Sequence, residues 1–189
     1  MIKAIIFDCF GVLYSEGKTY IESLCPAEKK ADLDDLYNQA DYGYISTEHF
    51  FKEVSHILKI DQAELADINT SQHVRNQPLI ELLKIYKKEY KTGLLSNVSD
   101  SFFDSLFTPK EQADLFDDIV LSSSIGAVKP HPQAYEAIAD KLAVKPEECI
   151  MIDDILVNCN GARQVGMQAI HYKSVQDTKQ QLKQLFELQ

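Results

Sequence analysis

Five short apolar runs recur along this chain, each of strand length: Ile2 to Phe7, Thr92 to Leu95, Ile119 to Leu121, Cys149 to Ile152 and Gln168 to His171. Between the later runs, apolar residues fall at helical spacing. Pro78 is placed as a first helical residue before Leu79, Leu82, Leu83 and Tyr86. Ser99 can cap a helix carrying Phe102, Phe103 and Leu106, and Pro132 begins another with Tyr135, Ile138 and Leu142. A short helix from Val157 to Val165 ends at Gly166, and a last one from Ser174 carries Leu182, Leu185, Phe186 and Leu188. Continuous apolar strands alternating with helices specify an α/β fold, a parallel sheet covered on both faces.

The alternation breaks between Tyr14 and Gln77, where no strand pattern is found. Ser46 can cap a helix bearing Phe50, Phe51, Val54, Ile57 and Leu58, an apolar stripe of helical period. Asp61 with Glu64 three residues on reads as a capping box before Leu65 and Ile68. Leu33, Leu36, Tyr37 and Ala40 supply a further helical face. The expected organisation is an α/β core of residues 1–13 and 78–189, with residues 14–77 inserted as a small helical cap.

A chain of 189 residues, 45% hydrophobic and 25% charged, suits one globular domain with a modest insertion. No apolar run approaches the roughly 20 residues of a membrane span. No basic segment followed by an apolar stretch opens the chain, so a cytoplasmic location is expected. The formal charge of −10 disfavours nucleic acid and anionic lipid as partners. With only Arg75 and Arg163 as arginines, no basic stripe exists to track phosphates. Cys9, Cys25, Cys149 and Cys159 form no C-x-x-C pair and lack zinc-finger spacing with any histidine, so they are expected as reduced thiols.

Four segments carry the chemistry. Asp8 ends the first apolar run and opens a turn, Asp8-Cys9-Phe10-Gly11. Leu94-Leu95-Ser96-Asn97 is a strand ending in a hydroxyl and an amide. Lys129-Pro130 falls shortly before a helix, and Ile150-Met151-Ile152-Asp153-Asp154 is followed by Asn158. In this order and spacing the set resembles the haloacid dehalogenase-like hydrolases, with the inserted helices similar to that family's small helical cap. The resemblance implies a Rossmann-like core and a small-molecule substrate, phosphorylated or otherwise activated. It makes Asp8 a nucleophile forming a covalent aspartyl intermediate, with Lys129 and Ser96 stabilising the transferring anion. It places Mg²⁺ between Asp8, the backbone carbonyl of Phe10 and Asp154, with Asp153 in support. Gly11, Asn97 and Asn158 are expected with Phe10 on the substrate side, Asn158 also orienting nearby groups. Oligomeric state is not encoded in these motifs. His49, His56, His73, His131 and His171 show no ligand spacing and receive no role.

One residue departs from the pattern. Phosphatases of the family carry a second Asp two residues after the first, as acid and base, and here that position is Phe10. Losing a positioned acid typically costs about 10²–10⁴-fold. Three readings follow: an atypical phosphatase using an activated leaving group or another acid, a binding protein that has lost turnover, or a 2-haloacid dehalogenase. The last uses a cap arginine, and no arginine lies between Tyr14 and Val74. Tyr14, Phe50 and Phe51 are candidates for shaping the pocket.

Overall fold

The computed structural model describes residues 1–187. Five strands, β1 (Ala4–Phe7), β2 (Lys91–Ser96), β3 (Asp118–Leu121), β4 (Cys149–Asp153) and β5 (Gln168–His171), form one parallel sheet in the order β3-β2-β1-β4-β5. All five apolar runs are strands, and the fold is the expected Rossmann-like α/β class. β1 lies at the centre, paired with β2 on one side and β4 on the other. Strand order reverses there, which opens a crevice at the carboxyl ends of β1 and β4. β1 is buried along its whole length, as a strand covered on both faces must be.

Between β1 and β2 the chain first forms α1 (Lys18–Leu24), α2 (Lys30–Asp41), α3 (Thr47–Leu58) and α4 (Gln62–Gln72). Around the sheet lie α5 (Gln77–Tyr86), α6 (Asp100–Leu106), α7 (Pro109–Leu115), α8 (Ser122–Ile125), α9 (Pro132–Lys141), α10 (Leu156–Gln164) and α11 (Val175–Glu187). Two apolar clusters cover the sheet, one built on Ile5, Phe7, Leu94 and Ile152, the other on Ile6, Leu95, Met151 and Ile138. Leu188, expected on the last helix, lies outside the described residues.

α1 to α4 bury a cluster of their own, Ile21, Cys25, Leu33, Val54 and Leu65. The two chain segments entering and leaving this unit are tied together. Ser15 N–H donates to Val74 O at 2.8 Å, and Val74 N–H donates to Ser15 Oγ at 2.7 Å. Tyr14 packs with the sheet cluster, its hydroxyl donating to Leu106 O at 2.8 Å, so it takes no part in the pocket.

Local signals behaved unevenly. Ser46 caps α3 through His49 N–H at 3.1 Å. Asp61 Oδ1 accepts from Ala63 and Glu64 N–H at 2.7 and 2.9 Å, but Glu64 makes no return bond, so only half of the expected box forms. Ser99 stands at the N-cap of α6 without capping it, because its hydroxyl is engaged by Thr47 at 2.7 Å. That bond joins the inserted helices to the core. The four cysteines are free and buried, and burial raises the Cys9 and Cys149 thiols.

Candidate functional site

Three strands deliver the polar groups. Asp8 follows β1, Ser96 ends β2 and Asp153 ends β4, so pairing in register brings them to one edge of the sheet. Lys129 reaches them from the loop before α9. Its ammonium lies 2.8 Å from Asp8 Oδ2 and 2.6 Å from Asp153 Oδ2, with all three side chains nearly inaccessible. Carboxylate oxygens of Asp8, Asp153 and Asp154 fall within 4.8 Å of one another.

Around this centre nearly every group is braced. Asp8 Oδ1 accepts from Cys9 N–H at 2.6 Å. Asp153 Oδ1 accepts from Ile155 N–H at 2.8 Å, and Asn158 Nδ2 donates to both its oxygens at 3.1 and 3.2 Å. Tyr135 holds Asn158 in turn, its hydroxyl donating to the Asn158 carbonyl at 2.8 Å. Asn97 brackets Lys129: Oδ1 accepts from Lys129 N–H at 2.9 Å and Nδ2 donates to Lys129 O at 3.1 Å. Asn158, expected also to orient its neighbours, thus positions Asp153, while Asn97, expected on the substrate side, positions Lys129; both border the cavity.

Two groups stand apart. Ser96 Oγ is buried without a hydrogen-bond partner among the described residues, a costly state that an incoming anion would relieve. Asp154 is half-buried over Gly11, whose φ is +74°. A Cβ on Gly11 would lie 2.1 Å from Asp154 Oδ2, so only glycine leaves room for that carboxylate.

Charge follows from burial. Asp8 is pushed up from the ordinary carboxylate range by burial, which Lys129 opposes and Asp153 reinforces. Asp154 moves the same way, through burial and then Asp153. Burial works against the Lys129 ammonium, but Asp8 and Asp153 outweigh it and hold it above its usual value. Fully ionised, the three carboxylates would exceed the one ammonium by two negative charges, and burial together with this crowding favours protons on Asp8 and Asp154 unless a cation is bound. A hard divalent cation balances that excess, and these all-oxygen donors suit it.

The polar centre is the floor of a cavity of about 310 Å³, the scale of a small-molecule site. Phe10 forms one wall, stacked on Phe102 with ring centroids 5.6 Å apart and meeting the His73 ring at 5.1 Å. Phe50 and Phe51 border the cavity from α3 while also packing on the inserted cluster. Asp41, Tyr37 and His73 also line it, though none stood out in the sequence. They are ordinary residues of α2 and the α4 terminus until the fold turns them inward.

A parallel α/β core that gathers carboxylates and one lysine at its central strand ends has the layout of an aspartate-centred hydrolase. The chain belongs to the haloacid dehalogenase-like hydrolase family, whose match covers residues 2–166. It is 27% identical to a glyceraldehyde 3-phosphate phosphatase of Pyrococcus furiosus over 91% of this chain and 81% of that one. A phosphatase of Mycobacterium tuberculosis is 43% identical over 86 residues, which are 44% of this chain and 39% of that protein. Among solved structures, a family enzyme of Bacteroides thetaiotaomicron in complex with magnesium and inorganic phosphate superposes with a TM-score of 0.77. That structure is 22% identical, over 93% of this chain and 96% of that one.

Proposed function

We propose that this protein is a Mg²⁺-dependent hydrolase of small phosphorylated or activated molecules, acting through Asp8. In this reading residues 1–13 and 78–189 are the catalytic core, and residues 14–77 cap the pocket. The observation that carries it is the Lys129 ammonium shared between buried Asp8 and Asp153, beside the partnerless Ser96 hydroxyl. Asp8 Oδ2 attacks phosphorus and the leaving oxygen departs, giving an aspartyl phosphate that water then hydrolyses. Lys129 and Ser96 stabilise charge on the transferring group, in a pocket that needs no reorganisation to receive it.

Asp8, Asp154 and the Phe10 carbonyl would hold the cation, with Asp153 fixing the lysine side of the site. Bound Mg²⁺ would neutralise carboxylate and phosphate charge. The unequal bracing supports this division of labour: Asp153 already accepts four hydrogen bonds or ion-pair contacts, whereas Asp154 keeps its carboxylate open over Gly11. The phosphatase relatives and the magnesium-bound structural neighbour are in keeping with this chemistry.

The dehalogenase reading is less well supported. Lys18 and Lys129 are the only lysine or arginine side chains bordering the cavity among the described residues, so no guanidinium meets a haloacid carboxylate. The direct test is a panel of phosphate esters, acyl phosphates and 2-haloacids, each with Mg²⁺ and with chelator. Phosphate release that needs Mg²⁺ is expected; halide release indifferent to chelator would refute the proposal. Protein that releases neither while binding Mg²⁺ and phosphate would be a binding protein.

A further inference from the structure

On an ester whose leaving group is not activated, the reaction proposed above needs a proton at the leaving oxygen, and Phe10 cannot supply one. We infer that Asp41, at the carboxyl end of α2, is the general acid and base of this site. The inference rests on the phosphatase reading and adds to it a catalytic residue from outside the family's four motifs.

Geometry places the group. Asp41 borders the same cavity as Asp8 and Lys129, from the end of α2. Its backbone is fixed to the core: Ser122 Oγ donates to the Asp41 carbonyl at 2.5 Å, while Ser122 Oγ also accepts from Val98 N–H at 3.0 Å. Two residues on, Gly43 has φ +74° and a Cβ there would come within 2.7 Å of Ser123 O, so the chain leaves α2 pressed against α8. The residue is thereby anchored where its side chain borders the cavity that Asp8 and Lys129 also line.

The carboxylate itself has no hydrogen-bond or ion-pair partner among the described residues. It stands at a helix carboxyl end, where the peptide dipoles disfavour negative charge. Folding gains nothing from an acid left that way, and unpartnered carboxyl groups lining a cleft are candidates for chemistry. Burial pushes Asp41 up to about 7, with the ammonium groups of Lys18 and Lys129 pulling the other way. Those two lysines, with the Tyr37 phenol on the same helix, are the titratable groups that face it. At neutral pH a substantial fraction of Asp41 is protonated and able to donate.

The steps balance. Asp8 Oδ2 forms a bond to phosphorus as the ester P–O bond breaks, and the leaving oxygen takes the Asp41 proton. Water then attacks the aspartyl phosphate and gives a proton to Asp41, releasing phosphate and restoring both carboxyl groups.

Asp41→Asn separates the steps when the first turnover is followed by rapid quench with Mg²⁺ present. On an aryl phosphate, whose leaving group needs no acid, the variant should release one equivalent of phenol at close to the wild-type rate. Steady turnover should then slow by about 10²-fold or more, because water lacks its base. On an alkyl phosphate the first turnover itself should fall by about 10²-fold or more, and the wild-type decline of that rate above pH 7 should vanish. Asp41→Glu should recover part of the alkyl rate. Equal slowing of both first turnovers, unchanged steady rates, or a wild type that cleaves aryl and acyl but no alkyl phosphate would overturn the assignment while leaving the Asp8 mechanism intact. A wild type with no Asp8-dependent turnover of any of the three would sink the underlying reading and this one with it.

Discussion

The floor and the roof of the cavity are built on opposite terms. On the floor, Asp8, Asp153 and Lys129 are buried, mutually paired and braced by Asn97, Asn158 and backbone N–H groups. In the roof, Phe50, Phe51, Tyr37 and Asp41 are half-buried side chains on helices that hold only five buried residues in their own cluster. A floor so over-determined can hold charge without reorganising, which is what stabilising a transferring anion requires. A roof of few contacts belongs to the low-stability end of a fold, where groups that select and release ligands are drawn. Reaction type therefore resides in the floor, and leaving-group chemistry in the roof.

Substitutions in the floor should have the largest effects. Asp8→Asn keeps the shape but removes the nucleophile, and turnover of every accepted phosphate should drop by more than about 10⁴-fold in a steady-state assay. Lys129→Ala strips the ammonium from two buried carboxylates. Breaking such a pair costs about 3–5 kcal/mol, so chemical denaturation should show a protein close to its limit of stability. Lys129→Met should be milder, since it keeps the packed stem. Gly11→Ala should weaken Mg²⁺ binding measured by calorimetry and cost about 1–3 kcal/mol, because the new methyl displaces Asp154 at a positive-φ position.

Changes at the roof should be smaller and differently shaped. Phe51→Ala should raise KM several-fold on esters with bulky groups while leaving the Asp8-dependent first turnover of acetyl phosphate nearly unchanged. Asp41→Asn should also register in stability. A carboxyl raised to about 7 on folding binds an extra proton in the native state between its ordinary range and pH 7, so wild-type stability falls as pH rises through that window. Asparagine escapes this, and the melting-temperature gain of the variant over wild type should be larger at pH 8 than at pH 5. A gap that stays constant with pH would contradict the burial of Asp41.

Legibility in the sequence follows the same division. Strands β1 and β4 are apolar runs with a carboxylate at or just past the end, and β2 closes on Leu94-Leu95-Ser96, so strand, strand end and candidate site could be read together. The bracing of Lys129 by Asn97 could not, because an amide at a strand end looks alike whether it meets ligand or braces a neighbour, and only the resemblance marked Asn158 as an orienting group. α7 has a full capping box from Thr108 and Glu111, yet it buries only Leu115 and shows no apolar stripe to read. α8 is a single turn of serines and isoleucine. Asp41 and His73 reach the cavity through tertiary packing of short helices, and no spacing announces that. Phe10 was legible as a departure, and its contacts with Phe102 and His73 show what replaced the carboxylate: an apolar wall.

The proposed mechanism requires that Asp8 become covalently phosphorylated in a cation-dependent way. Mixing the protein with acetyl phosphate and Mg²⁺, quenching within one turnover and reducing with borohydride converts an aspartyl phosphate to homoserine, which peptide mass reveals. Homoserine at position 8, lost with chelator and absent from Asp154→Asn, is the predicted result. Phosphate release without any label at position 8, or label that survives chelation, would contradict it.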